Sequence, residues 1–304
     1  MKKRYIISCT ALLLTLLLSV GLMIPGFAEG SAPVAENFEF ETYRGVSFGG
    51  ELAAIDPDGD TLTFEITTAP VKGSIELSDD GSFVYTPADG KRGKDYFGYK
   101  AVDSDGNRSQ EATVIIRLIK QKTEVSYADM DGSASYCAAI RLAECGAFVG
   151  RQLGGEYYFD PDATLSRGEF LSLCLEVTGT DTLTGVVSTG FTDDGEIPEW
   201  QKSYVSTAVK NGIVKGYSGE DGPCFGSDSV ISRAEATAML NRSLGLSNVS
   251  YVNLNDAVPT WAAQDAANLC ACNVISPTAA LDRPLTRADA ADMLAAAMSV
   301  IESR

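Results

Sequence analysis

The chain of 304 residues changes its pattern of hydrophobic and polar positions once, near residue 120. From residue 32 to about 119, short stretches alternate between apolar and polar side chains, for example at Leu62, Phe64 and Ile66. Turn clusters such as Asp56-Pro-Asp-Gly-Asp60 separate these stretches. About seven short strands at roughly 8- to 12-residue spacing predict an all-β sandwich of immunoglobulin type over residues 29–119.

Beyond about residue 127, apolar residues recur at helical spacing in Ala-rich segments. The polar stretch 120–126 between the two patterns is predicted to be a linker. Three later segments resemble one another: Leu165-Ser-Arg-Gly-Glu-Phe170, Ile231-Ser-Arg-Ala-Glu-Ala236 and Leu285-Thr-Arg-Ala-Asp-Ala290. They predict a second, all-α region of three helix-loop-helix repeats, over residues 127–182, 183–247 and 248–304.

Each shared segment has a hydroxyl residue followed three positions later by an acid, which is the pattern of a capping box at a helix N-terminus. The pairs are Ser166 and Glu169, Ser232 and Glu235, and Thr286 and Asp289. We expect each cap to stabilise its helix by about 1 kcal/mol. The box accounts for the hydroxyl and the acid, but not for the arginine between them.

That arginine, at Arg167, Arg233 and Arg287, occupies the first helical turn, where the helix dipole disfavours a cation. One explanation is an anion site, because free backbone N–H groups beside a guanidinium would bind a carboxylate or a phosphate. The other is a salt bridge between repeats, to the acidic turns at Asp129, Asp193 or Asp256.

Two tryptophans, Trp200 and Trp261, begin helices of the second and third repeats. A tryptophan at helical spacing commonly packs in a core. A tryptophan close to an arginine and an acidic turn is also typical of a sugar-binding groove, where the indole face contacts sugar C–H groups. The sequence leaves both interpretations open.

Composition excludes several classes of function. The chain has no histidine, which removes Ser-His-Asp and Cys-His catalytic arrangements and every metal site that needs an imidazole. Its 41 acidic and 24 basic residues give a net charge of -17, which disfavours nucleic-acid binding. A glycoside hydrolase could use two carboxylates, but no pair is distinguished by its spacing. We therefore expect no enzyme.

The N-terminus has the pattern of a secretory signal peptide. Met1-Lys-Lys-Arg4 is followed by an apolar run to Ile24 and by the small residues Gly26 and Ala28. A peptide of residues 1–28, cleaved after Ala28, predicts a secreted protein; the alternative is that the run is retained as a membrane anchor.

Six cysteines follow, an even number that would suit disulfides in a secreted chain. Alignment of the repeats places Cys174 over Leu240 and Leu294, which predicts a buried apolar position. Cys137 and Cys145 would lie about 12 Å apart on one helix, too far to bridge. We expect no disulfide framework.

Residues 127–302 resemble three tandem surface-layer homology repeats, a family marked by a helix start similar to Thr-Arg-Ala-Glu. The resemblance implies a three-pronged helical bundle that holds exported proteins noncovalently to secondary cell-wall polysaccharide, in grooves between repeats, often through a pyruvylated sugar. By this resemblance Arg167, Arg233 and Arg287 would contact the acidic sugar. Trp200, Trp261, Asp129 and Asp193 would line the grooves.

The repeats depart from the family pattern unequally. Repeat 1 has Ala134 near the tryptophan position and Gly168 inside its motif, and repeat 3 ends its motif with Asp289. The second repeat is the most complete, which gives Arg233 and Trp200 first place as contacts.

The N-terminal region resembles cadherin-like or bacterial immunoglobulin-like domains, on the segments Asp56–Asp60, Asp80–Pro87 and Asp95–Tyr99. In that wider family acidic turns can bind calcium, which prefers oxygen ligands. The resemblance would place calcium at Glu36, Asp56, Asp58 and Asp103, although ordinary Asp-Gly turns explain the same residues.

The sequence thus predicts a noncatalytic cell-surface protein of the S-layer type, anchored to wall polysaccharide and displaying a small sandwich. The alternative is a calcium-dependent adhesin or protein-binding module whose repeats are only a scaffold. No other cofactor, no nucleic acid and, after cleavage of the signal peptide, no membrane is expected as a partner.

Overall fold

A computed structural model describes residues 30–250, 254, 258–277 and 279–304. The predicted signal peptide of residues 1–28 and the acidic-turn residue Asp256 lie outside these described residues. Within them, no helix combines the length and the apolar character needed to cross a bilayer.

The N-terminal region is a β-sandwich, as predicted. Its strands are β1 (Val34–Ala35), β2 (Phe38–Tyr43), β3 (Phe48–Glu51), β4 (Ala54–Ile55), β5 (Thr63–Thr68), β6 (Gly73–Leu77), β7 (Ser82–Pro87), β8 (Gly93–Val102) and β9 (Ala112–Ile119). One sheet has the order β2-β9-β8-β5 and the other β3-β7-β6, while β1 pairs with β4. Strand β2 runs parallel to β9, and the other pairs within the two main sheets are antiparallel.

Aromatic side chains fill the sandwich, because alternate residues of β7, β8 and β9 point inward. Tyr85, Phe97 and Tyr99 are fully buried, and Phe83 packs edge-on against Phe97 with ring centroids 5.5 Å apart. The buried Asp95 accepts hydrogen bonds from the amides of Val71 and Lys72 and from the Tyr85 hydroxyl. This clamp fixes the loop between β5 and β6.

The C-terminal region is helical. Its helices are α1 (Tyr136–Glu144), α2 (Arg167–Val177), α3 (Glu199–Lys210), α4 (Arg233–Leu244), α5 (Ala263–Ala271) and α6 (Arg287–Glu302), with a 3₁₀ turn at Thr260–Ala262. Two hairpins were not predicted. One joins β10 (Arg151–Leu153) to β11 (Glu156–Tyr158), and the other joins β12 (Tyr217–Gly219) to β13 (Gly222–Cys224). Gly154 and Gly155, both at positive φ, allow the tight turn of the first.

The shared motif begins α2, α4 and α6, and each of the three capping boxes predicted from the sequence is complete. The residues just before the caps, Leu165, Ile231 and Leu285, are buried. The amide of each donates to the carbonyl of another in a closed cycle, at 2.9 to 3.2 Å. This cycle lies where the three repeats meet and gives them their approximate threefold arrangement.

The sandwich and the helices share apolar contacts. Tyr43 and Val46 of the sandwich and Val125 of the predicted linker are buried in the same cluster as the core of the repeats. Residues 120–126 form no helix or strand, but the Lys122 amide donates to the Glu144 carboxylate on α1. The connection between the two regions is therefore packed rather than free.

The six cysteines of the described chain are free thiols. Cys174 is fully buried, as its alignment with leucines predicts, and burial raises the pKa of its thiol to about 12.

Candidate functional site

The three motif helices do not offer free N–H groups, so this part of the anion-site argument was wrong. The amides of Arg167 and Gly168 donate to the carbonyls of Ser229 and Ser227 in the next repeat, at 2.8 and 2.9 Å. The first-turn amides of the other two motif helices donate in the same way across a repeat boundary. The third-position amides are taken by the cap hydroxyls. Backbone groups of the neighbouring repeat therefore occupy the donors that an anion would use.

Each motif arginine instead reaches across a repeat boundary with its side chain. Arg167 Nη1 lies 3.2 Å from Glu235 Oε1, and Arg233 Nη2 lies 3.8 Å from Asp289 Oδ1. Arg287 Nη1 lies 3.1 Å from Asp160 Oδ2. Bridges between repeats exist, but their acids are not the predicted Asp129 and Asp193. Two of the three are the capping-box acid of the next repeat.

The acidic turns have a structural role that the sequence did not show. Asp129 accepts hydrogen bonds from the amides of Phe159 and Asp160 at 2.9 and 2.7 Å. Asp193 accepts from those of Phe225 and Gly226 at 2.8 and 2.7 Å. Each carboxylate thus clamps the loop eight residues before a motif arginine. Neither lines the groove described next, and their place in another groove between repeats stays a prediction.

One groove brings together predicted site residues from different repeats. It is a cavity of about 390 Å³ with Arg167 of repeat 1 on one side and Trp261 of repeat 3 on another. Between them lie the loop Ile213–Tyr217 and one face of α4, both from repeat 2. We call this the Arg167 groove. It is built from all three repeats, so no single repeat could form it.

The Arg167 guanidinium is held rigidly at the groove. Its Cζ lies 4.6 Å from the ring centroid of Tyr217 and 5.4 Å from that of Phe225, and its side chain is only 8% exposed. The Tyr217 hydroxyl also donates to Glu235. Burial and this hydrogen bond raise the pKa of Tyr217 to about 12. Stacking and ion pairing therefore preorganise the cation.

The groove is electropositive. Burial alone would raise the pKa of Glu235, but the hydrogen bonds from Tyr217 and Ser232 and the nearby Arg167 lower it overall. Glu235 is therefore ionised and offsets one positive charge. Lys215 and Arg242 add two more cations to the same lining. Arg242 is oriented by Ile213 O and Asp265 Oδ2, each at 3.2 Å.

Both tryptophans are exposed, which excludes the core-packing interpretation and leaves the sugar-binding one as a prediction. Trp200 and Trp261 are 58% and 56% exposed, so neither is a core residue. Trp200 lies edge-on to Tyr204, with ring centroids 6.3 Å apart. On the surface of repeat 1, Arg287 stacks over Phe148 at 5.4 Å, an arrangement like that of Arg167 over Tyr217.

Sequence reasoning missed three lining residues, Tyr217, Lys215 and Arg242. Lys215 and Tyr217 lie in and just beyond the loop after α3, and Arg242 lies nine residues after the motif arginine on α4. A cation and an aromatic residue in the loop that follows a tryptophan-initiated helix were the available signal.

The predicted calcium ligands are only partly brought together. Carboxylate oxygens of Asp56, Asp60 and Asp103 lie within 4.8 Å of one another. Glu36 and Asp58 are not in this group, and Asp58 instead accepts from the Ser31 amide at 2.5 Å. Asp60, which the sequence analysis did not select, takes their place. Asp56 Oδ2 is buried without a hydrogen-bond partner among the described residues, which fits a cation ligand.

Comparison with known proteins identifies both regions. The family model of the bacterial cadherin-like domain matches residues 30–121, and that of the S-layer homology domain matches residues 190–237. A cellulosome-anchoring protein of Acetivibrio thermocellus is 29% identical over 175 residues, which cover 53% of this chain and 37% of that protein. The exoglucanase XynX of the same organism is 26% identical over 147 residues, covering 46% and 13%. The chain thus spans well under half the length of these relatives.

Among solved structures, a sialic-acid-binding region of a Streptococcus sanguinis adhesin matches 33% of this chain and 32% of its own, at 18% identity and a TM-score of 0.25. An endo-fucoidan hydrolase of glycoside hydrolase family 107 matches 32% and 17%, at 20% identity and the same TM-score. These similarities carry no argument about function. The family matches and the described fold agree: the chain joins a bacterial cadherin-like domain to a helical region that contains an S-layer homology domain at residues 190–237.

Proposed function

We propose that this protein is a noncatalytic cell-surface protein, held noncovalently to a secondary cell-wall polysaccharide by its S-layer homology repeats. The observation that carries the proposal is the Arg167 groove, in which a preorganised cation and an exposed tryptophan from different repeats face one cavity. The similarity to a cellulosome-anchoring protein supports a role in attachment to the cell surface.

The groove favours an acidic sugar. Trp261 would stack on the apolar face of a sugar ring, while Arg167, Lys215 and Arg242 would bind a carboxylate. A pyruvyl ketal supplies such a carboxylate on a wall polysaccharide. Arg287 and Trp200 are proposed to serve a second groove of the same kind, related to the first by one step around the repeats.

Sedimentation of the full chain with isolated cell-wall polysaccharide tests this proposal. Arg167→Gln keeps a long polar side chain but loses the charge, and we expect its affinity for the polysaccharide to fall by about tenfold or more. Arg108→Gln removes the same charge from an exposed site in the sandwich, 59% exposed, and serves as the matched control. Equal binding by the two variants would remove Arg167 from the ligand site.

A second candidate function is a calcium-dependent adhesin, favoured by the buried Asp56 Oδ2 beside Asp60 and Asp103. Calcium bound there would be held by these three carboxylates and would stiffen the loops Asp56–Asp60 and Asp103–Asn107. Two of their oxygens, Asp56 Oδ1 and Asp103 Oδ1, each already accept two backbone hydrogen bonds, so the protein offers few unshared ligands to an ion that prefers six to eight. We therefore rank this function second.

A further inference from the structure

A third groove, between repeats 1 and 3, follows part of the plan of the Arg167 groove, moved on by one repeat. The motif arginine at this step, Arg233, is not among its lining residues. The loop after the first helix is then Val274–Pro277, and the motif helix is α6, which contributes Asp292, Ala295 and Ala296. Ala134 takes the position that Trp261 has in repeat 3. The two repeats align at Gly146 and Asn273, and each of these residues follows the position in question by twelve residues. The loop, the three residues of α6 and Ala134 line one cavity of about 760 Å³.

The sandwich lies across this groove. Strand β3 contributes Phe48, Gly49 and Glu51 to the cavity wall. The Gly49 amide donates to Ala134 O at 2.9 Å, and the Cys137 amide donates to Ser47 O at 3.2 Å. Backbone groups of the sandwich thus bond directly to the start of α1, where the other two repeats carry an exposed tryptophan.

Two small residues make this approach possible. A Cβ added to Gly49 would lie 2.4 Å from the Ala134 Cβ, which is too close for two non-bonded carbon atoms. A tryptophan at position 134 would fill the space that β3 occupies. Gly49 and Ala134 are therefore complementary, and each is needed for the fit.

The contact is anchored beyond these two residues. The Tyr43 hydroxyl donates to Glu144 Oε2 at 2.8 Å, and Tyr43 is 5% exposed. Lys122 in the connecting segment donates its amide to the other oxygen of Glu144. Glu144, at the end of α1, is therefore a second point of attachment besides the contacts at the start of the helix.

The sandwich also makes the groove acidic, because it contributes Glu36, Glu41 and Glu51 to the lining. Its cavity is lined by four acids and one arginine: Glu36, Glu41, Glu51, Asp292 and Arg141. The Arg167 groove has three cations and one acid. An anionic ligand would be repelled from the covered groove even if it reached it.

We propose that the sandwich of this chain is the fixed occupant of the third groove, and that Ala134 stands in place of a tryptophan because β3 takes its position. The domain is then held in one orientation on the repeats rather than displayed on a flexible linker, and the Arg167 groove stays open to other ligands. This proposal concerns the fit of two parts of one chain and does not depend on the identity of the wall ligand.

The test uses full-length variants and no ligand. Ala134→Trp and Gly49→Leu should each release the sandwich, raising the radius of gyration in small-angle X-ray scattering. Tryptic cleavage after Lys120 or Lys122 should accelerate by about tenfold or more, because the segment loses its protection. Gly195→Leu is the matched control, since Gly195 has open space around it and an ordinary φ.

Circular dichroism distinguishes release from unfolding, because a released sandwich keeps its secondary structure. Trp200 and Trp261 show that the repeats accept an exposed tryptophan at this position, so Ala134→Trp should fold. Wild-type scattering and tryptic rates in both variants would overturn the proposal. Fast hydrogen exchange of the Gly49 and Cys137 amides in the wild-type chain would also overturn it.

Discussion

The guanidinium of Arg167 in the first repeat lies 4.6 Å over the ring of Tyr217 in the second, and its Nη1 lies 3.2 Å from Glu235. A planar guanidinium can stack on an aromatic ring and form an ion pair at the same time, whereas the compact ammonium of lysine has no planar face to stack. Arg167→Lys should therefore lower the free energy of unfolding by about 1–2 kcal/mol, from the lost stacking of a buried cation. Urea unfolding measures the change. Arg108→Lys, at an exposed pair, should shift it by less than about 0.5 kcal/mol, and equal shifts would contradict the argument.

The Asp193 carboxylate uses both oxygens to accept the amides of Phe225 and Gly226. In Asp193→Asn one of these acceptors becomes a donor, so an N–H group of the loop loses its partner. We expect a loss of about 1–3 kcal/mol in unfolding free energy, measured by chemical denaturation. Asp181→Asn, in an exposed loop, should be close to neutral. Unchanged stability together with lost polysaccharide binding would return Asp193 to the contact role that the sequence suggested.

Asp292 is expected to make stability depend on pH. Desolvation by the surrounding protein, helped by the nearby Asp289 carboxylate, raises the pKa of its carboxyl to about 6, although the Ser135 hydroxyl and Arg233 favour the ionised form. Because the pKa of Asp292 in the folded state lies above its ordinary value, the contribution of this carboxyl to the free energy of unfolding is present in acid and is lost as pH rises through about 6. The side chain still meets solvent in the cavity, so we expect an effect below about 1 kcal/mol.

Asp292→Asn removes the titration, so its stability relative to the wild type should increase from pH 4 to pH 7.5. Thermal unfolding of both chains across this range measures the difference. A difference that stays constant, or that changes in the opposite direction, would show that the carboxyl does not titrate near pH 6.

Calcium should act on the sandwich through Asp56, Asp60 and Asp103. If these carboxylates hold the ion, millimolar calcium raises the melting temperature of the wild-type chain, because ligand binding favours the folded state. Asp60→Asn should weaken this shift, while Asp79→Asn, in another turn, should not. A melting temperature that calcium leaves unchanged would reject the metal site and the adhesin candidate with it.

Local sequence patterns predicted the parts of this molecule that depend on near neighbours. The three capping boxes need only a hydroxyl and an acid three residues apart, and all three form. Cys174 aligned with leucines and is fully buried. The sandwich followed from alternation in strands such as β7 and β9.

The errors concern partners that are distant in the chain. The sequence predicted free first-turn amides because their acceptors, such as Ser229 O for Arg167, lie in a different repeat. The clamps formed by Asp129 and Asp193 were not predicted, because a carboxylate that accepts amides from a distant loop leaves no local pattern. The contact of Gly49 with Ala134 joins two domains, and the sequence showed only that the tryptophan was missing.

The geometry also changes which arginine is expected to matter most. The completeness of the second repeat favoured Arg233. When the Arg167 groove is moved on by one repeat, Arg233 takes the position of Arg167, and the groove at that step is the one that β3 covers. Arg167 belongs to a repeat without a tryptophan, but it lies in an open groove to which repeat 3 contributes Trp261. Ranking the repeats singly could not show this, since each of the two grooves combines residues of more than one repeat.

A double-mutant cycle of Arg167→Gln and Trp261→Ala, measured as affinity of the full chain for isolated wall polysaccharide, tests most directly whether one ligand is held by two repeats. We expect each substitution to weaken binding, with a coupling free energy between the two of about 0.5 kcal/mol or more. Strictly additive losses would place the two side chains at separate sites. Binding unchanged in both single variants would contradict the Arg167 groove as the anchoring site.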